Sequence, residues 1–349
     1  MSSRSVRYYN MDVVRYILST LVYSNHFFYL TGSGIAGTIQ GGVQPAFFAL
    51  SGFLVYHSFE KCSSVKDFIF KRMIRLMPLY WFVVFAFAIA LSSVSNLGII
   101  DYFFSAGFWK YILANTFTLN FMAPTLPGVF DAPQMVSASV NGALWTMKVE
   151  ILLTCTYPLV DRLLKRYGTK RNFILATVIA LSMTYTMCML SMLDITGDQR
   201  YEMLVRQFVG QLYVFYIGVF IYLNLQQFMK HKWEIFFIVV LLALANVFLL
   251  EENLVLRFIL LAVGVVWLSI VGNWGAKLAH SDNLSYGIYL CHYPLINLSV
   301  YFGLHEFIPL PVLFLLVFAT VIFVARLLVP PSNSFSRFLT AKYNQSVSL

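Results

Sequence analysis

The chain has 349 residues, of which 59% are hydrophobic and only 11% charged, and its formal net charge is +9 at pH 7. This composition excludes an ordinary soluble domain and predicts a polytopic membrane protein. Most Lys and Arg residues fall in short loops between apolar runs, as membrane topology requires, so nucleic-acid binding is not indicated.

Ten apolar runs are long enough to cross a bilayer as helices. They predict an all-α integral membrane protein with about ten transmembrane helices, at residues 11–30, 41–58, 78–96, 144–163, 173–193, 203–224, 235–250, 254–272, 284–303 and 309–329. Basic loops alternate with loops that hold almost no Lys or Arg, and by the positive-inside rule both termini are cytoplasmic. Residues 11–329 are predicted to form the membrane domain and residues 330–349 a short cytoplasmic tail.

The first run, MDVVRYILSTLVYSNHFFYL, carries polar side chains that a plain membrane anchor would lack. Eleven residues separate Arg15 from His26, which places them within about 20° of each other on a helix and roughly 16 Å apart. Asp12, Ser19 and Tyr23 fall on the same stripe. Either Arg15 snorkels to the headgroups while His26 lies near the opposite surface, or the run lines a polar channel in which His26 acts as a base.

Small residues mark the second run, GGVQPAFFALSGFLVYHSF. Gly42, Ser51 and Gly52 permit the close approach of another helix, which is ordinary in membrane bundles. Taken alone, this motif therefore indicates a packing surface.

The stretch KRMIRLMPLYW, residues 71–81, leads into the third run and puts Lys71, Arg72 and Arg75 at its predicted cytoplasmic edge, just ahead of Pro78. These cations satisfy the positive-inside rule or meet anionic lipid. They could equally clamp phosphate groups, because the guanidinium fork matches phosphate oxygens. The motif alone leaves these interpretations open.

The longest connection, residues 97–143, is predicted to lie on the outer side, and a connection of that length is more often functional than filler. Within it, residues 108–122 form an apolar stretch that Lys110 and two asparagines interrupt. We interpret this stretch as an interfacial or re-entrant helix.

Polar side chains also open two later runs. In NGALWTMKVEILL, Lys148 and Glu150 either form structural ion pairs or provide a carboxylate that orients a histidine on another helix. In LSYGIYLCHYPLI, Tyr286, Tyr289 and His292 share a broad face, and such a histidine, taken alone, is interpreted as structural. The four cysteines show no metal-type spacing, so no metal is predicted.

Together, and in this order, the motifs resemble those of the acyltransferase 3 family of integral membrane acyltransferases. The resemblance covers roughly residues 11–329, with small departures at Met147 and at Tyr16-Ile17. The matching motifs are Asp12-x-x-Arg15 with His26 eleven residues on, Phe47-Phe48-x-x-Ser51-Gly52-Phe53, Lys71-Arg72-x-x-Arg75-x-x-Pro78, Trp145-Thr146-x-x-x-Glu150 and Ser285-Tyr286-x-x-Tyr289-Leu290-x-His292.

The resemblance implies the transfer of an acyl group, usually acetyl, from acetyl-CoA to a sugar hydroxyl of a surface glycan such as O-antigen, capsule or exopolysaccharide. It implies a multi-pass protein of the bacterial inner membrane, in contact with membrane lipid and a glycan or lipid-linked glycan acceptor. The site residues then expected are, for catalysis, His26 as base, Arg15 and Glu150; for the donor, Lys71, Arg72, Arg75, Ser51 and Trp145; and for the substrate, Tyr286 and His292.

Multispan transporters, flippases and polysaccharide polymerases are the alternative classes. A transporter is expected to show paired broken spans in two related halves, which this sequence lacks. A flippase or polymerase would not need an Arg-x-x-Arg motif at the inner edge. The pattern therefore favours the acyltransferase.

Overall fold

The computed structural model describes residues 8–33, 43–250, 253–278 and 284–347. It is 82% helical, and these ranges contain no strand, which confirms the all-α class. The helices are, in chain order, α1 Tyr9–Leu30, α2 Gln44–Glu60, α3 Val65–Ala90, α4 Ile99–Phe104, α5 Ala106–Thr116, α6 Trp145–Arg166, α7 Arg171–Thr196, α8 Arg200–Arg206, α9 Phe208–Leu223, α10 Leu225–Lys230, α11 Lys232–Phe248, α12 Leu254–Ile270, α13 Ser285–Tyr301, α14 Leu304–Phe307 and α15 Leu310–Val347.

Helix is present at each of the ten predicted spans, although Gln207, with an extended backbone, divides the span at 203–224 into α8 and α9. Within the described residues, four helical stretches are long and apolar enough to cross a membrane: Val65–Val94, Gly168–Thr196, Arg200–Leu223 and Leu310–Ser346. They support a membrane protein. The number of crossings and the cytoplasmic placement of both termini stay predictions.

Reporter fusions test the predicted sides of the membrane. We expect a fusion at residue 130 to report the outer side, and fusions at residues 66 and 168 to report the cytoplasm, because the loop charges alternate in that order. A periplasm-active and a cytoplasm-active reporter at each position provide the measurement. A cytoplasmic signal at residue 130 would reverse the assignment of sides.

The described chain forms two compact units, divided within α1 after Leu18. The first unit comprises Met1–Leu18, Gly41–Phe68 and Val149–Ser281. At its centre α2 packs on α9, and the two backbones touch at glycines. A Cβ built on Gly52 would overlap the carbonyl of Phe215, and one built on Gly218 would overlap the carbonyl of Ala49. Gly52 thus has the packing role that its motif indicates, while Gly42 lies outside the described residues.

Asn10 fixes the start of α1 within the first unit. Its buried amide nitrogen donates to the carbonyl of Val271 at 3.0 Å, and its amide oxygen accepts from the backbone N–H of Gly275 at 2.8 Å. The side chain thereby satisfies the C-cap carbonyl of α12, which the helix itself leaves unpaired, and a backbone N–H in the loop that follows. The helix that carries Arg15 is held in place by these bonds.

The second unit comprises Ser19–Gln40, Ile69–Lys148 and Asp282–Leu349. Its core is α13, in which most residues are buried, packed along α15. A Cβ on Gly287 would lie 3.0 Å from Ala325 Cβ, so the two helices approach closely there. The Tyr23 hydroxyl donates to the carbonyl of Phe314 at 2.6 Å and joins α1 to α15.

The connection at 97–143 is structured within the second unit. The buried face of α5 consists of Phe108, Tyr111, Ile112 and Asn115. The helix ends at Thr116, earlier than the predicted 108–122, because Thr118 adopts a left-handed backbone conformation with φ of 60°. A short 3₁₀ turn at Asn120–Met122 completes the stretch.

Helix α15 continues past the predicted end of its span at residue 329. Pro330 and Pro331 lie within it, and the helix runs on to Val347. Two contacts with α3 account for the extension: the Ser336 hydroxyl donates to the carbonyl of Ile74 at 3.2 Å, and the rings of Tyr343 and Phe70 stack at 3.8 Å. The predicted tail is therefore helical and packs on the stretch that carries the basic motif.

Candidate active site

Two histidines meet in the second unit. Nδ1 of His26, near the end of α1, lies 2.8 Å from Nε2 of His292 on α13. The rings are nearly parallel, with centroids 5.0 Å apart and an interplanar angle of 24°. His292 is completely buried, whereas His26 is half-buried. The pair thus joins an inaccessible imidazole to an accessible one.

Helix α13 is tied to its neighbours on several sides of His292. The Ser19 hydroxyl donates to the carbonyl of Ser285 at 2.9 Å, and the Asn141 amide donates to the carbonyl of Leu290 at 2.8 Å. The Asn297 amide donates to Ser139 in the same way. Because these bonds flank His292 along the helix, they fix the position of its ring.

The face predicted for Tyr286, Tyr289 and His292 is divided among different partners. The Tyr286 hydroxyl donates to the carbonyl of Leu76 on α3 at 3.0 Å, and the Tyr289 hydroxyl lies 2.7 Å from the Thr146 hydroxyl. Both phenols thus connect helices of the second unit. Substrate binding by Tyr286 and His292 stays a prediction.

Thr146 stands next to Trp145, which is half-buried at the start of α6. One turn on, the ammonium of Lys148 lies over the ring of Phe121, 4.4 Å from its centroid. This cation–π contact stabilises the charge near the outer connection. The place of Trp145 at the donor stays a prediction.

The first unit holds the other predicted catalytic residues. There the Ser51 hydroxyl on α2 donates a hydrogen bond to the Glu150 carboxylate on α6. Arg15 is half-buried on α1. The roles of Arg15 and Glu150 in catalysis, and of Ser51 at the donor, stay predictions.

The three cations of the basic motif do not share one environment. Lys71 and Arg75 are exposed, one turn apart on the same side of α3. Arg72 is only 4% exposed and points into the protein. The predicted clamp therefore consists of two surface cations and one buried guanidinium.

Comparison with known proteins decides the family. The family model described as an acyltransferase domain, acyltransferase 3, matches residues 8–329. The chain belongs to the acyltransferase 3 family. Nodulation protein 10 of Rhizobium leguminosarum bv. viciae, also an acyltransferase 3 member, is 31% identical over 128 residues, which are 35% of this chain and 33% of that protein. This similarity thus spans about a third of each chain, and no solved structure matches the chain significantly.

For this acyltransferase 3 member, the sequence patterns missed the direct contact between His26 and His292. The motifs single out both histidines, but they assign Glu150 to orient His26 and His292 to bind substrate. The two rings are 266 positions apart, and no spacing rule connects residues on helices so distant in sequence. The sequence gives only an indirect indication that the two histidines could meet, namely that each lies in a polar motif inside an apolar run.

Proposed function

We propose that this membrane acyltransferase transfers an acetyl group from cytoplasmic acetyl-CoA to a sugar hydroxyl of a cell-surface polysaccharide, such as O-antigen, capsule or exopolysaccharide. The observation that carries the proposal is the contact of His26 with a second histidine inside a protein of the acyltransferase 3 family. A half-buried imidazole oriented by a hydrogen-bond partner has the arrangement expected of a general base.

The reaction begins when His26 takes the proton of the acceptor hydroxyl. The sugar oxygen attacks the thioester carbonyl carbon, so that a C–O bond forms and the C–S bond breaks. The coenzyme A thiolate leaves and receives the proton from His26. Imidazole suits both proton transfers because it titrates near neutral pH. A transient acyl-histidine is an equally balanced route, in which the acyl group passes through the ring.

Charge supports an acyl-CoA donor. Acetyl-CoA is a polyanion, and the exposed Lys71 and Arg75 at the predicted cytoplasmic edge present cations to its phosphates. Arg72 extends the basic motif toward the protein interior. By the resemblance to the family, Ser51 and Trp145 are proposed to serve the donor, and Arg15 and Glu150 to serve catalysis.

The acceptor and location complete the proposal. A glycan or lipid-linked glycan on the outer side of a bacterial inner membrane is the acceptor, and membrane lipid surrounds the apolar helices. The rhizobial relative supports a bacterial setting. Neither nucleic acid nor metal has a part in the reaction.

The donor assignment predicts a specific loss of affinity. In the Lys71→Gln, Arg75→Gln double variant, which removes the two exposed cations of the motif, we expect acetyl-CoA binding to weaken on the order of 10²-fold or more, because each charge-assisted contact contributes about 1.5–3 kcal/mol. The measurement is calorimetric titration of acetyl-CoA into wild-type and variant protein in nanodiscs of neutral lipid.

The matched control removes two cations elsewhere. Arg166, the last residue of α6, and Lys170 are exposed in a region predicted to be cytoplasmic, and neither belongs to the proposed site. Their double Gln variant loses the same net charge and should bind acetyl-CoA as the wild type does. Equal weakening in both variants would reduce the basic motif to a general electrostatic effect, and a wild type that binds no acetyl-CoA would contradict the donor.

A further inference from the structure

We infer that His292 is a positioning residue: it holds the ring of His26 and fixes the tautomer in which Nδ1 carries the hydrogen and Nε2 is the base. The inference rests on the proposed function, because it assigns a role within that reaction. In this assignment His292 orients the ring of His26 instead of binding the substrate.

The tautomer follows from a chain of two hydrogen bonds. Nδ1 of His292 lies 3.3 Å from the carbonyl oxygen of Ile288, one turn earlier on α13. A carbonyl oxygen only accepts, so this nitrogen carries the ring hydrogen. In a neutral ring Nε2 of His292 is then the acceptor, and the hydrogen between the two rings belongs to Nδ1 of His26. In neutral His26, Nε2 is therefore the basic nitrogen.

The surroundings of His292 suit an orienting role. Its ring is fully buried and lies against the rings of Tyr289 and Tyr293, with centroids 5.9 Å and 6.4 Å away. The Tyr293 ring also meets His26 edge-on at 5.1 Å. A ring packed on these sides, in a helix held by the Ser19 and Asn141 bonds, cannot turn away from its partner.

The hydrogen bond between the rings gains strength during the reaction. When Nε2 of His26 takes the proton from the hydroxyl, its ring becomes cationic and the Nδ1–H···Nε2 bond becomes charge-assisted. Since this gain occurs only as charge develops, it lowers the barrier rather than improving ground-state binding. Loss of His292 should therefore act on kcat and leave KM nearly unchanged.

Three variants test this role in acetyl transfer by the full-length protein. His292→Leu removes the acceptor and should lower kcat by about 10- to 10²-fold, the size of one charge-assisted hydrogen bond, with KM within twofold. His292→Gln places an amide oxygen near the position of Nε2 and should recover kcat to within about fivefold of wild type. His231→Leu, on an exposed loop, is the control for loss of a histidine and should behave as wild type.

A second measurement does not depend on turnover. In protein labelled with ¹⁵N-histidine, six histidines are present, and the His26→Gln and His292→Gln variants assign the two signals. We expect wild-type His26 to be protonated at Nδ1 and to become a tautomer mixture in His292→Leu. Protonation of neutral His26 at Nε2 in the wild type, or a raised KM with unchanged kcat in His292→Leu, would overturn the inference. If the tautomer is as expected but no acetyl is transferred, the proposed function fails and the positioning of His26 stands.

Discussion

Replacing His26 with Gln should lower acetylation of the surface glycan by about 10²–10⁴-fold, the usual contribution of a general base. Gln keeps hydrogen-bonding capacity and similar bulk, but its amide cannot take a proton at physiological pH. If His26 were only a polar side chain near the membrane surface, the same change would be nearly silent. The measurement is the acetyl content of the glycan, by NMR, in cells lacking the native gene and carrying either wild type or variant.

The Arg15→Lys variant distinguishes two roles for the arginine on the same helix. Lysine keeps the positive charge and loses the planar fork, so a snorkelling Arg15 predicts tolerance and a bidentate contact predicts loss. Both variants must accumulate in the membrane at the wild-type level, since instability also reduces acetylation. Full acetylation by a normally expressed His26→Gln protein would contradict the base mechanism and leave family membership intact.

Replacing Gly218 with Ala should prevent normal accumulation of the folded protein. The added Cβ would overlap the carbonyl of Ala49 and lie 2.7 Å from the backbone nitrogen of Phe53, so the clash is with main-chain atoms of α2. Overpacking in a close-packed interior costs about 1–3 kcal/mol, and here no flexible side chain can move aside to relieve it. The midpoint of thermal unfolding in detergent and the amount of protein in membranes measure the effect.

Gly264 supplies a matched control in the same unit. It also lies in a helix, but a Cβ there would meet only the Val239 methyl at an ordinary 3.7 Å. Gly264→Ala should therefore accumulate and unfold as the wild type does. Equal behaviour of the two alanine variants would show that α2 and α9 can separate at little cost.

Sequence patterns predict the helices well because a helix depends mainly on the residues within its own run. Each predicted span contains helix, since an apolar run of that length satisfies its backbone hydrogen bonds internally. The structure adds to the prediction where tertiary contacts extend a helix beyond its apolar run. The predicted span ends at residue 329, whereas α15 continues to Val347 with Ser336 and Tyr343 packed on α3.

The sequence patterns single out candidate site residues, but they do not show which of these residues contact one another. Arg15, His26, Glu150 and His292 stand out because ionisable and polar groups are costly in apolar runs. Which of them meet depends on how helices distant in the sequence pack together, and a local pattern does not identify the helix that a given face contacts. The His26–His292 contact and the Ser51–Glu150 bond both join helices that are distant in the sequence, so local patterns do not predict them.

Helix α15 is much longer than one crossing of a bilayer core requires. A helix of 38 residues is about 57 Å long, and the hydrocarbon core of a bilayer is only about 30 Å thick. If the predicted span at 309–329 crosses that core, the rest of α15 and the start of α3, where Phe70 stacks on Tyr343, extend beyond the hydrocarbon on the predicted cytoplasmic side. In that arrangement we expect a dissolved nucleotide to reach Lys71 directly from the bulk water rather than by lateral diffusion through the lipid.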